Sequence, residues 1–143
     1  MPNDLMRFSV AMPEDLLIEF DKLVARRGLA KNRSEVVRDL VREALVEAEC
    51  KMPGTQVMGT LTIVFEHHAS DLQEKLDHIQ HAYFGQVVSS MHVHLDEHNC
   101  LEVIILRGEA SEVQAIADMI MGTKGVNQGK LVLTTTSQHA HHD

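Results

Sequence analysis

Two kinds of periodicity run along the chain. Residues 7–12 alternate, with Phe8, Val10 and Met12 on one face and Arg7, Ser9 and Ala11 on the other, the pattern of a short half-buried strand. Pro13-Glu14-Asp15 then suits a helix start, since proline fits the first turn and acidic groups favour the positive end of the dipole. Leu16, Leu17, Phe20, Leu23 and Val24 make one apolar stripe, and Gly28 after Arg26-Arg27 stops it. Asn32-Arg33-Ser34-Glu35 reads as a capping box, opening a second helix with Val36, Val37, Leu40, Val41, Ala44 and Leu45 inward, to about Cys50. Lys51-Met52-Pro53-Gly54-Thr55 breaks the helix. The pattern then predicts a strand over 57–66, a helix over 69–81 capped by Ser70 or Asp71, and strands over 86–95 and 100–107. A helix over 109–122 and a strand over 126–135 follow. Residues 96–99 carry turn chemistry, so the middle strands form a hairpin.

The second block is therefore β-α-β-β-α-β, an α+β unit of the ferredoxin-like kind, with both helices on one face of an open four-stranded sheet. The uncovered face calls for a second copy. The first block, strand-helix-helix, is too small to bury a core alone, and its strand has no partner in the segment. The simplest donor is the same strand from a second chain, giving a two-stranded antiparallel ribbon. The expected divisions are residues 1–50, a linker over 51–56, a sheet domain over 57–136 and a disordered His-rich tail over 137–143.

Composition sharpens this picture. Net charge is −8, which by itself argues against nucleic acid. The distribution reverses that: residues 1–50 hold eight of the thirteen Lys and Arg, and all ten histidines lie from His67 onward. A local basic cluster binds phosphate whatever the total charge. A paired ribbon would turn Arg7, Ser9 and Ala11 outward from each chain, a shape that fits the major groove of DNA. Asn32, Arg33 and Ser34 would sit at a helix N-terminus, where phosphate is held. No apolar run is long enough to span a membrane and no signal peptide is legible, so cytoplasm is expected. Cys50 and Cys100 are then reduced thiols, with Cys50 expected buried and idle.

The densest chemistry is His92-Val93-His94, followed by Cys100 across the hairpin turn. Residues i and i+2 of a strand share a face, so two imidazoles stand side by side with a thiol opposite, a metal site in outline. The same spacing also fits two surface histidines and an unrelated buried cysteine. His67, His68 and His78 fit weak additional metal sites or plain solvent-facing residues, and the tail histidines fit non-specific binding.

Residues 6–48, with the alternating strand, Arg-Arg-Gly and Asn-Arg-Ser-Glu, resemble the ribbon-helix-helix DNA-binding family. With His-x-His-x5-Cys and the Gln80-His81 pair, nearly the whole chain resembles the nickel-responsive repressor family, NikR, with an ACT-type C-terminal domain. The resemblance implies a cytoplasmic homotetramer, a dimer of dimers, that binds double-stranded operator DNA and represses nickel-uptake genes. It implies one Ni(II) per subunit, in a square-planar site of His92, His94 and Cys100 completed by His81 of a neighbouring subunit. Glu102 is implied as a partner of an imidazole, and Glu35 and Asp39 as a second cation site. Ala11 departs from a family position that often holds Thr, so its base contact is expected to differ. No catalytic role is expected, since four protein ligands leave no open position. The alternative is a ribbon-helix-helix regulator sensing Cu, Co or a small molecule. Metal storage, with the N-terminal segment used only for oligomerisation, is a third.

Overall fold

The computed structural model describes residues 4–68 and 71–136. The expected tail over 137–143 and the cap at Ser70 lie outside them. Two helices, α1 (Glu14–Arg26) and α2 (Arg33–Cys50), precede β1 (Gln56–Glu66), α3 (Leu72–Ala82), β2 (Val87–His94), β3 (Asn99–Glu109), α4 (Ala110–Met121) and β4 (Val126–Thr134). The chain divides into two compact units between Val41 and Arg42, inside α2.

In the first unit, residues 7–12 form no strand within the single chain, and Phe8, Val10 and Met12 are all exposed. A strand needs a neighbour for its backbone N–H and C=O groups, and this segment pairs with no other described segment of its own chain. Pro13 stands at the cap of α1, and Glu14 and Asp15 lie in its first turn. At α2 the Asn32 side chain accepts the Glu35 N–H at 2.9 Å. The return bond from the Glu35 carboxylate, expected of a capping box, is not made.

In the second unit the sheet order is β2-β3-β1-β4 with every neighbour antiparallel. This is the ferredoxin-like arrangement, and it follows from β1 being the most buried strand. Val57, Leu61, Ile63 and Phe65 alternate inward along it, facing Cys100, Ile104 and Leu106 of β3. Leu72 and Leu76 of α3 and Val113, Ile116, Ala117 and Ile120 of α4 cover that face. Gly59 lets α4 approach β1, because a Cβ there would meet Val113 Cγ1 at 3.0 Å. Val46 and Cys50, on the last turns of α2, join this same core. Cys50 is buried as expected, and burial, with Glu49 nearby, raises its thiol pKa. The opposite face of the sheet is open. Met91, Val93 and Val132 are exposed there, beside the half-buried Leu101, Val103 and Ile105.

α3 begins at Leu72, later than the predicted 69. Asp71 occupies the cap position in the left-handed region (φ 66°) and its side chain makes no cap bond. α4, by contrast, is capped by Glu109, which accepts the N–H groups of Ser111 and Glu112 and the Ser111 hydroxyl. Glu109 also accepts the Gly54 N–H at 2.9 Å, and the Ala110 N–H donates to the Thr55 carbonyl at 2.8 Å, so the linker is fastened to the start of α4. Gly54 takes φ +85°, a conformation other residues adopt only with strain.

These bonds, the Ser111 hydroxyl first and the Gly54 N–H next, hold the Glu109 carboxyl at about 2, well below its ordinary 4.5. A depressed folded value means the stabilisation is complete above the ordinary range and is lost as pH falls from about 4.5 towards 2. Glu109→Gln should therefore flatten that part of the stability–pH curve and lower stability at neutral pH, read by urea denaturation across the range. Parallel curves for the two proteins would contradict this.

Candidate metal centre

The hairpin turn is built by Asp96, whose Oδ1 accepts the N–H groups of His98 and Asn99, both at 2.8 Å. Those two backbone bonds lower the Asp96 pKa. The turn fixes the β2–β3 register, which pairs His94 with Cys100 and His92 with Glu102. Directly paired residues on antiparallel strands point to the same face. His92, His94, Cys100 and Glu102 therefore share the helix-covered side of the sheet, at its β2 edge. His94 Nδ1 lies 3.6 Å from Cys100 Sγ, and the His92 and His94 rings are 5.1 Å apart. Phe65 of β1 packs edge-on against His92 at 5.7 Å. Cys100 is fully buried, so its sulfur is held by packing, while the imidazoles lie exposed at the β2 edge of the same face.

Glu102 is buried, only 3% exposed, and not a solvent-facing strand residue. One oxygen accepts the Gln80 side-chain N–H at 2.7 Å, and the other lies 3.7 Å from His92 Nδ1. It thus ties an imidazole of β2 to α3. His81, the next residue on α3, is exposed, and its side chain makes no hydrogen bond or ion pair with the other described residues; within the single chain it does not join the group of donors at the hairpin.

Beside the hairpin stands a residue whose sequence setting fits either a weak additional metal site or a solvent-facing histidine. His67, just after β1, has Nδ1 3.4 Å from Cys100 Sγ and its ring 5.3 Å from that of His94. The register sets this: Phe65 pairs with Cys100, and the His67 N–H donates to the His98 carbonyl, pinning the end of β1 to the hairpin turn. His67, His94 and Cys100 form the group of possible metal ligands among the described residues, with donor atoms within 4.8 Å of one another. Borderline-soft divalent metals accept such a nitrogen and thiolate set, so these residues fit a nickel- or zinc-class ion. His68 stacks edge-on with His67 at 4.9 Å and lies 6.4 Å from the ring of His98. His78 is exposed on α3.

The residues expected to meet DNA lie in the first unit. Arg7, Ser9 and Ala11 are exposed, as are Asn32, Arg33 and Ser34. The Arg33 guanidinium is held by both oxygens of Asp21 at 2.8 Å, which lowers the Asp21 pKa and raises that of Arg33. Asp39 pairs with Lys31 at 3.0 Å, so in this arrangement a lysine stands at one of the two carboxylates expected at a second cation site with Glu35.

Among the described residues no helix is long and apolar enough to cross a membrane. Residues 58–134 match the NikR C-terminal nickel binding domain, and residues 6–48 match the ribbon-helix-helix protein, copG family. A putative nickel-responsive regulator of Geobacter sulfurreducens is 49% identical over 97% of this chain and 99% of its own length. Another, from Pyrococcus horikoshii, is 44% identical over 94% of this chain and 97% of its own. Among solved structures, an uncharacterized protein of Thermotoga maritima covers 55% of this chain and 96% of its own, at 16% identity and a TM-score of 0.49, a likeness too slight to bear on function. With both segments matched and full-length relatives near half identity, the chain belongs to the family of nickel-responsive regulators that join a ribbon-helix-helix segment to a NikR C-terminal nickel binding domain.

Proposed function

We propose that the protein is a cytoplasmic, nickel-dependent transcriptional repressor, a homotetramer holding one Ni(II) per subunit. One observation carries this reading: the hairpin presents His92, His94 and Cys100 on one face, while the side chain of His81 of the same chain is exposed on α3 and bonded to no other described residue. A set of three donors with an outward-facing histidine nearby is what a site shared between subunits requires. The open sheet face, with Met91, Val93 and Val132 exposed, is the apolar surface through which two such copies would pair. When bound, Ni(II) supplies a square-planar preference that three imidazoles and a thiolate satisfy.

The residues do the rest. Cys100 would give a buried thiolate, His92 and His94 would give two imidazoles, and His81 of the neighbouring subunit would give the third. Glu102 orients the His92 ring, the role an outer carboxylate plays for a metal-bound histidine. Engaging His81 restrains α3, and restraint of a helix shared across subunits favours one placement of the DNA-binding dimers. Two copies of residues 7–12 form the ribbon, with Arg7, Ser9 and Ala11 against base edges. Asn32, Arg33 and Ser34 contact phosphates, for which Arg33 must exchange Asp21 for DNA. Glu35 and Asp39 form a second cation site only once Lys31 releases Asp39. The targets are nickel-uptake genes, and the protein catalyses no reaction.

Because coupling is reciprocal, operator DNA must tighten nickel binding by the factor by which nickel tightens operator binding. Operator duplexes selected in vitro from random sequence in the presence of nickel provide the probe. Fluorescence anisotropy should show affinity at least about fivefold higher with nickel than without, the low end of ordinary allosteric coupling. Equal affinity in both conditions would overturn the reading.

A further inference from the structure

Arg33, the first residue of α2, is already engaged within its own chain. Its Nε donates to one oxygen of Asp21 and its Nη2 to the other, each at 2.8 Å. A phosphate takes a guanidinium through the same two parallel bonds, so carboxylate and phosphate are rivals for one fork. The pair is unlike Lys22–Glu19 and Lys51–Glu47, which are single ammonium contacts between neighbours on one helix. It joins α1 to α2, and its geometry commits two of the five guanidinium N–H groups. The Asp21 carboxyl is held below its ordinary value, chiefly by the bond from Arg33, so the pair stays charged at neutral pH. An arginine so paired presents little net charge to a phosphate. The pair is also open to exchange. Its side chains are 60% and 44% exposed, and an exposed pair is screened by water and weakly held. The Asp39 side chain that holds Lys31 is, by contrast, only 14% exposed.

We propose that Asp21 is a built-in competitor for DNA phosphate, which occupies Arg33 in the free protein and lowers its affinity for every duplex. This rests on the reading above that Arg33 contacts phosphate. When Arg33 moves to DNA it releases a counterion from the duplex, but Asp21, set free, takes a cation up. The net release from that contact is therefore small, and so is its share of the salt dependence. A phosphate contact carries no base information, so the penalty is the same for operator and for random sequence, with nickel or without. Asp21 thus sets the level from which nickel raises DNA binding, and not the size of the nickel response.

The test uses full-length wild type, Asp21→Asn, Arg33→Ala and the double variant. Fluorescence anisotropy is measured over a range of salt, on the nickel-selected operator and on a random duplex, with Ni(II) and without. Thermal midpoints confirm that the variants are folded, and Asp21→Ala serves as a second substitution with the same expectations. Asp21→Asn should bind both duplexes more tightly, by about 1.5- to 5-fold for each Arg33 engaged, the spread of exposed ion-pair energies expressed as affinity. Its log affinity should also fall more steeply with log salt, by up to about 0.9 for each Arg33 engaged. In the Arg33→Ala background the same substitution should give a smaller gain, the general relief of one negative charge. Unchanged or weaker binding by Asp21→Asn would make Asp21 a support for Arg33 and overturn the proposal. An equal gain with and without Arg33, or a gain confined to the operator, would overturn it too. Failure of the wild type to bind either duplex at low salt with nickel present would instead sink the regulator reading itself, and the proposal with it.

Discussion

Cys100→Ala is expected to weaken nickel binding by more than about 100-fold and to abolish the nickel-dependent gain in operator affinity. Losing a residue that only orients a ligand already costs about 10–100-fold, and on the proposed reading Cys100 provides the thiolate itself. The substitution removes a fully buried sulfur, whereas the β1–β3 register at Phe65 and Cys100 is a backbone pairing that alanine can make equally. Nickel-independent binding to DNA through the first unit should survive, because it depends on the basic groups of residues 1–50. His81→Ala should share the metal defect while leaving stability untouched, since the His81 side chain is exposed and makes no hydrogen bond or ion pair with other described residues. Titrations following the thiolate-to-nickel absorption band, with anisotropy on the same samples, check both. An undiminished band in Cys100→Ala would remove the thiolate from the account.

Leu76→Ala is expected to cost about 2–5 kcal/mol of stability, the range for truncating a fully buried leucine. Leu76 sits on α3 five residues before His81 and fills the core beneath the helix. The helix has no side-chain N-terminal cap, so Leu72 and Leu76 are its principal anchors to the sheet. Loosening them frees the helix that carries both Gln80 and His81. Nickel affinity should therefore fall along with the urea midpoint, although the residue touches no ligand. A destabilised variant with wild-type nickel affinity would show that α3 need not be held.

Much of this was legible in the pattern of residues. Alternation along β1 and β3 and the 3.6-residue stripe of α4 dictated the sheet domain, and all three are long enough to be unambiguous. The turn at Asp96 was legible because its hydrogen bonds are local. His67 was not, because its approach to Cys100 depends on the β1–β3 register and a bond to the His98 backbone, across 33 residues of sequence. The burial of Glu102 leaves a signal in the strand pattern: Cys100, Glu102, Ile104 and Leu106 share one strand face, and the neighbours are plainly core. A carboxylate in that row needs partners, and Gln80 and His92 provide them. The Arg33–Asp21 pair joins different helices and leaves no mark in either local pattern.

The central claim is that the metal site is completed between subunits, and mixed tetramers test it most directly. Cys100→Ala supplies an intact His81 but no thiolate, and His81→Ala supplies the thiolate but no third imidazole. Each alone should lack both the square-planar nickel–thiolate band and nickel-dependent operator binding. Unfolded together and refolded as a mixture, they should recover a fraction of both, because some junctions then pair an intact hairpin of one chain with the intact His81 of another. No recovery from the mixture, under conditions where wild-type chains refold and bind nickel, would contradict a shared site and return all four ligands to a single chain.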